Sequence, residues 1–224
     1  MSILKGWWGE KKTALNIWWN FDKTIYKRFH NIIIPTKNGT TQIDHLLVSK
    51  YGIFIVETKN YNGWIFGSED NESWTQVIYG KKYYFQNPLR QTYRQKKSLS
   101  EFLVLNDSVI HTIVYFVGDC EFKTIMPKNV LKKDLYKYIS RFSKIAISPV
   151  SFREVLAKLQ NHISTNTLSR RDHINSLHDR HNSIKYCPKC GSTLVLRTAR
   201  KGPNAGNKFL GCTSYPKCRY TRNV

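Results

Sequence analysis

Two cysteine pairs near the C-terminal end, Cys187-x2-Cys190 and Cys212-x5-Cys218, constrain how this chain can fold more than any other feature. Four thiolates so paired suit a tetrahedral zinc ion, with each pair on a tight turn and a short β-structure bringing the turns together. Pro188 and Gly191 shape the first turn, and Tyr215 and Pro216 the second. Leu194, Leu196, Phe209 and Leu210 supply the strands between them. So small a segment has too little apolar surface to fold alone, and metal binding must contribute most of its stability. A zinc ribbon with structural zinc on Cys187, Cys190, Cys212 and Cys218 is expected. Free thiols or a redox pair are the bland alternatives.

The same segment carries eight basic residues (Lys189, Arg197, Arg200, Lys201, Lys208, Lys217, Arg219, Arg222) and no acid. The run CPKCGSTLVLRTARKG and, after it, KFLGCTSYPKCRYT resembles the C-terminal zinc fingers of bacterial type IA DNA topoisomerases over residues 186–222. That resemblance implies DNA binding, mostly of single strands, and not strand-passing chemistry, for which the rest of the chain is too short. Tyr186, Phe209, Tyr215 and Tyr220 are candidate stacking faces for bases, with the basic residues between them for phosphates; a ribbon mini-core is the competing role for these rings. For Phe209 the mini-core is the expectation.

Charge points to the same partner. The chain has 36 Lys+Arg against 15 Asp+Glu, a net +21, of which residues 164–224 hold +10 and the remainder +11. Two basic regions in one chain suggest a polyanion touched by both. An anionic membrane surface ranks well below nucleic acid, and no apolar run approaches the ~18 residues of a span. Cys120 is left unpaired in an apolar stretch, as a reducing compartment permits. A cytoplasmic, nucleoid-associated, bacterial-type protein is expected, with DNA and other DNA-processing proteins as partners.

Periodicity predicts a helix over 9–30, a short strand at 32–34, a turn at Lys37-Asn38-Gly39, and a hairpin of Thr41–Val48 with Gly52–Lys59. Short strands follow at 64–66, 74–79 and 82–85, then a helix opened by Pro88 and running to about Val104. A buried strand is expected at 109–117 and another strand at 145–147. Ser151-x-x-Glu154 reads as a capping box before a last apolar helix. Trp7, Trp8, Trp18 and Trp19 are expected to anchor the first helix, with a membrane or partner contact as the lesser alternative.

The hairpin carries the chemistry. With its turn between Lys50 and Tyr51, residues whose numbers sum to 101 lie opposite each other, so Asp44 faces Glu57. Lys59 shares a strand face with Glu57. Facing carboxylates at the end of a buried strand repel and lose hydration unless something compensates them. A divalent cation does so, and so does an ordinary salt bridge to Lys59; the spacing alone leaves both open.

A second resemblance decides between them. GE at 9–10, QIDHLL at 42–47, YGIFIVETKNYNG at 51–63, Trp74 and NPLRQ at 87–91 occur in the order found in the nuclease-related (NERD) domain of the PD-(D/E)xK phosphodiesterase superfamily. The resemblance implies Glu10, Asp44 and Glu57 as ligands of Mg²⁺ or Mn²⁺, Lys59 as the catalytic lysine and Gln91 as a polar accessory. A tyrosine that often follows such a glutamine by four residues is replaced here by Gln95.

His45 is expected to be packed and hydrogen-bonded rather than a base, and His173, His178 and His181 to sit on a solvated linker helix. Lys81, Lys82, Arg90, Arg94, Lys96 and Lys97 are candidate phosphate contacts or a solvated face. The expected fold is α/β: a PD-(D/E)xK nuclease-like mixed sheet flanked by helices over 1–163, a polar linker over 164–185, and a small C-terminal four-cysteine zinc ribbon over 186–224. The expected function is Mg-dependent hydrolysis of DNA phosphodiester bonds. A non-catalytic DNA-binding adaptor, or a topoisomerase accessory protein, is the alternative.

Overall fold

The computed structural model describes residues 3–36, 39–165, 168, 170–182, 184–188, 190–216 and 218–223, with 3–7, 170 and 180–182 described for their backbone alone. Lys37, Asn38, Lys189, Lys217 and the side chains of Trp7 and His181 therefore lie outside the described residues. Two compact units divide the chain: 1–34 with 42–167, and 35–41 with 168–224.

The first unit opens with α1 (Ile3–Asn20), β1 (Lys27–Thr36), β2 (Gly39–Ser49) and β3 (Gly52–Lys59). β4 (Gly63–Phe66), β5 (Ser73–Ile78), β6 (Lys81–Gln86) and α2 (Pro88–Leu103) follow. It ends with β7 (Ile110–Phe116), β8 (Cys120–Phe122), β9 (Val130–Leu131), α3 (Leu135–Ile139) and α4 (Pro149–Thr165). The central sheet has the order β1-β2-β3-β7-β9, and the second sheet β6-β5-β4-β8. β3 pairs antiparallel with β2 but parallel with β7, so it is the seam of a mixed sheet.

β3 is buried on both faces, as its unbroken apolar run requires. One face packs Ile53 and Ile55 against Leu99 and Leu103 of α2 and Val155 and Leu159 of α4. The other packs Phe54 and Val56 against Ile17 and Phe21 at the end of α1 and Leu135 and Ile139 of α3. A third cluster joins the sheets, with Trp74 stacked on Phe116 at 6.2 Å and Cys120 buried beside them. No helix among the described residues is long and apolar enough to cross a membrane.

Four local expectations are corrected. The first helix stops at Asn20 rather than 30, because the Asp22 carboxylate accepts the Thr24 N–H at 2.7 Å and its hydroxyl at 2.8 Å, a side-chain turn that competes with helix. Among the described side chains its anchors are not tryptophans. Thr13 and Ile17, four apart, face the sheet with Phe21 just beyond, which leaves Trp8, Trp18 and Trp19 on the outer side at 64%, 60% and 76% exposure. Residues 145–147 form no strand, since the Ala146 and Ile147 N–H groups both donate to the Lys50 carbonyl and no ladder can extend from one acceptor. The last long helix is capped by Ser148, whose Oγ accepts the Ser151 N–H at 3.1 Å ahead of Pro149, three residues before the expected cap.

In the second unit, α5 (Arg170–Asn182) precedes β10 (Leu194–Thr198), β11 (Lys208–Cys212) and β12 (Thr221–Asn223), an antiparallel sheet. Thr40 belongs to this unit through α5: its Oγ1 lies 2.8 Å from His173 Nδ1 and 2.7 Å from Ser176 Oγ. His178 is exposed.

Candidate active site and metal centre

The hairpin register is the one read from the sequence: His45 pairs with Val56 and Ser49 with Gly52, each pair summing to 101. Where the ladder ends, Asp44 uses its side chain instead, Oδ2 accepting the Thr58 N–H at 3.0 Å. Asp44, Glu57 and Lys59 thereby gather at the C-terminal end of β3.

α2 covers this corner. Asn87 caps it by accepting the Leu89 N–H at 2.9 Å, while its amide donates to the carbonyls of Ser68, Glu69 and Asn71. The cap sets the helix so that Gln91 Nε2 donates to Glu57 Oε1 at 2.7 Å and Gln91 Oε1 accepts from Lys59 Nζ at 3.1 Å. One turn on, Gln95 Nε2 donates to Glu57 Oε2 at 2.8 Å and to the Gln42 carbonyl at 2.9 Å. Lys59 Nζ completes the set on Glu57 Oε1 at 2.7 Å. Both carboxylate oxygens of Glu57 are thus held by protein donors.

Electrostatics sharpen the picture. Burial first, then the Glu57 charge and to a lesser degree Glu10, hold the Asp44 carboxyl well above the usual carboxylate range, against Lys59 and the Thr58 N–H. Burial works to lower the Lys59 pKa, but the Glu57 charge and hydrogen bond and the Asp44 charge outweigh it and keep the ammonium above its ordinary value. Glu10 stands on α1, which comes close to the β3 end because Gly9 has no side chain: a Cβ there would lie 2.7 Å from Asn60 Cβ. Thr13, one turn along, accepts from Thr58 Oγ1 at 3.0 Å.

Gln95 was not expected as a site residue. Its helical spacing from Gln91 is the signal that points to it, since residues four apart share a helix face. Its Oε1 is buried without a hydrogen-bond partner. Of the basic candidates nearby, Arg90 is turned to the Asp70 carbonyl and Glu72, and Lys97 pairs with Asp107, while Lys81 and Lys82 are exposed. His45 lies buried, its Nδ1 2.7 Å from His30 Nδ1.

The four cysteines form a separate centre. Their Sγ atoms all lie within 4.8 Å of one another, with Cys187–Cys218 at 3.7 Å and Cys190–Cys212 at 3.3 Å, and none is in a disulfide. Tetrahedral Zn–S bonds of about 2.3 Å require sulfurs about 3.8 Å apart, so the cluster fits zinc. Hydrogen bonds from Cys187 and Cys218 hold Cys190 well below the usual thiol value, and burial pushes Cys212 up to about 11. Such crowded thiols cannot all ionise without a cation. Among the described residues this is the one group of three or more His, Cys, Asp or Glu residues gathered so that they could hold a metal ion.

On the ribbon, Leu210 and Tyr220 pack against the thiol cluster, whereas Phe209 is half-buried outside it. Arg197, Arg200, Lys201, Lys208 and Arg219 are exposed, as is Tyr215 at 60%. Arg197 lies across Gly211, where a Cβ would meet its Cδ at 2.9 Å.

A mixed sheet flanked by helices, with two acids and a lysine at the end of its central strand, defines the class of nuclease-like α/β folds. Residues 5–117 match the nuclease-related domain, and the chain belongs to that family. Residues 184–224 match the topoisomerase DNA-binding C4 zinc finger, so the second unit carries a structural zinc finger of that type. An uncharacterized protein of Bacillus anthracis is 38% identical over 152 residues, covering 64% of this chain and 70% of that one. DNA topoisomerase 1 of Mycoplasma genitalium is 27% identical over 95 residues, 42% of this chain but 13% of the topoisomerase. An uncharacterized Escherichia coli protein is 53% identical over 36 residues, 16% of this chain and 17% of that one. The chain thus spans only a small part of these last two relatives. No solved structure matches.

Proposed function

We propose that the protein is a divalent-metal-dependent deoxyribonuclease of the PD-(D/E)xK type. Its zinc ribbon, through Arg197, Arg200, Lys201, Lys208, Arg219 and Tyr215 with Lys189 and Lys217, holds DNA in single-stranded regions, while Tyr220 packs on the thiol cluster and supports the ribbon. The observation that carries this reading is the convergence of Asp44, Glu57 and Lys59 at the C-terminal end of β3, roofed by two glutamines. These hard oxygen donors suit Mg²⁺ or Mn²⁺, held by Glu10, Asp44 and Glu57. The ion, when bound, supplies an activated water and a counter-charge for the phosphate. Lys59, kept protonated by its carboxylate neighbours, stabilises the negative charge that builds on the phosphate oxygens. Gln91 and Gln95 fix the rotamer of Glu57, and Gln91 also steadies Lys59. Burial and the Glu57 charge raise the Asp44 pKa, and a bound cation would offset both.

The saturation of Glu57 by three protein donors favours a second reading, a DNA-binding adaptor in which the same residues only brace the fold. The domain division proposed is a nuclease-related unit over 1–163, a polar linker over 164–185 and the ribbon over 186–224, working in a bacterial-type cytoplasm near the nucleoid, alongside other DNA-processing proteins. Incubating the purified chain with single-stranded, duplex and branched DNA in Mg²⁺ or Mn²⁺, beside Glu57→Gln, tests the proposal. Cleavage by the wild type that the variant lacks supports the enzyme. Binding of all three DNAs without cleavage supports the adaptor.

A further inference from the structure

The outer face of α1 takes no part in the site just described, yet Trp8, Lys11, Lys12, Leu15, Trp18 and Trp19 recur along it every three or four residues. Leu15 is 59% exposed and Trp19 76%, an unusual display of apolar surface. Beneath them runs a groove of about 410 Å³, walled by Lys12, Leu15, Asn16 and Trp19 of α1, floored by Tyr115 and Val117 at the end of β7, and closed by Lys132 after β9. Among the described residues no acidic side chain lines it, although Asp134 is near enough to raise the Tyr115 pKa. Its floor lies at the same end of β3 as the candidate active site but on the other face of the sheet: Tyr115 pairs with Thr58, whose hydroxyl donates to Thr13 of α1, whereas Glu57 and Lys59 alternate to the α2 face.

We propose that this groove binds one nucleotide of the nucleic-acid strand, its base against the exposed Trp19 and its phosphates on Lys12 and Lys132. The proposal rests on the nuclease reading above and deepens it, making the groove a subsite for a nucleotide further along the strand, which continues round the end of β3 from the cleaved bond. Three features select this occupant. An exposed indole between two cationic side chains matches the alternating base and phosphate of a single strand. The volume lies within the roughly 300–1,000 Å³ of small-ligand sites. The chain's charge of +21 attracts a polyanion to either unit. A flat bilayer makes contact with a protruding helix face and has no use for a recessed floor two residues deep in a strand end.

The test uses the full chain in EDTA, so that binding is read without cleavage, and a 12-nucleotide single strand carrying 5-iododeoxyuridine. Ultraviolet cross-links mapping to Trp19 are expected. Trp19→Ala, at an exposed position that leaves the core intact, should weaken strand binding in fluorescence anisotropy roughly five- to a hundredfold by loss of base stacking. Lys12→Ala with Lys132→Ala should lower the slope of log affinity against log salt by about 1.4, two single-strand phosphate contacts. Cross-links confined to other regions, with Trp19→Ala binding as wild type, overturn the groove. So does co-sedimentation with phosphatidylglycerol vesicles that Trp19→Ala abolishes while strand binding is untouched, which would make the face a membrane contact. Glu57→Gln should keep both cross-links and affinity. A wild type that cross-links at the groove but cleaves nothing with Mg²⁺ or Mn²⁺ defeats the nuclease reading and not the groove, so the two failures are separable.

Discussion

His45 should make this fold lose stability in mild acid, by an amount that follows from its surroundings. The imidazole is 1% exposed, its Nδ1 is taken up by His30 and its Nε2 has no hydrogen-bond partner. Burial, with the neighbouring His30, holds its pKa down to about 3 from an ordinary 6.5. Between those values the unfolded chain carries a proton at this position and the folded chain does not. Stability is therefore present near neutral pH and lost as pH falls from 6.5 toward 3. Going from pH 7 to pH 5 removes about 2 kcal/mol through this one group. Asp44 acts oppositely: its raised pKa makes stability fall as pH rises above 3.8, so the wild-type profile is a composite. Urea unfolding of the wild type and of His45→Gln at pH 7, 6 and 5 separates the two, because Asp44, His30 and His111 remain in both proteins. The variant should be less stable at pH 7, and its deficit should shrink by about 2 kcal/mol at pH 5. A deficit constant with pH would show that His45 is protonated inside the fold, and the account of its burial would be wrong.

Other outcomes follow from the same geometry. Cys190→Ser should lose one equivalent of zinc by metal analysis and melt the ribbon, while the first unit, whose three apolar clusters lie elsewhere, keeps its unfolding transition. Asp44→Asn, read by thermal melts in EDTA at pH 7, should raise stability, since it removes a carboxylate that burial and Glu57 disfavour as an anion. Lys59→Ala should reduce cleavage by orders of magnitude yet leave DNA affinity nearly unchanged, because the basic residues that hold DNA are spread over both units; an affinity lost in step with activity would argue against a catalytic lysine. Deleting 185–224 removes nine positive charges and should flatten the salt dependence of DNA binding by several counterions, which a titration series resolves.

Much of the candidate site was legible in the sequence because a hairpin is local. Its register follows from the turn and the period of two, and that register sets Asp44 opposite Glu57 with Lys59 beside them. Gln95 shows where such reading stops. Judged by the tyrosine it replaces, it looks like a loss, yet α2 lays it against Glu57 Oε2, a contact across 38 residues. The first helix shows the same limit. Its sequence has apolar residues on two stripes, and period alone does not say which stripe meets the sheet.

The sequence by itself determined the zinc ribbon, the central hairpin and the basic character of the chain, because cysteine spacing, strand alternation and charge act over short range or in sum. The tertiary structure alone decided which face of α1 is buried and how Glu57 is held from both sides. It also decided that a groove walled by Trp19, Lys12 and Lys132 opens on the α1 face of the sheet near the end of β3. Each of these depends on packing between elements far apart in the chain, where the direction of a side chain is set by the partner surface and not by its neighbours in sequence.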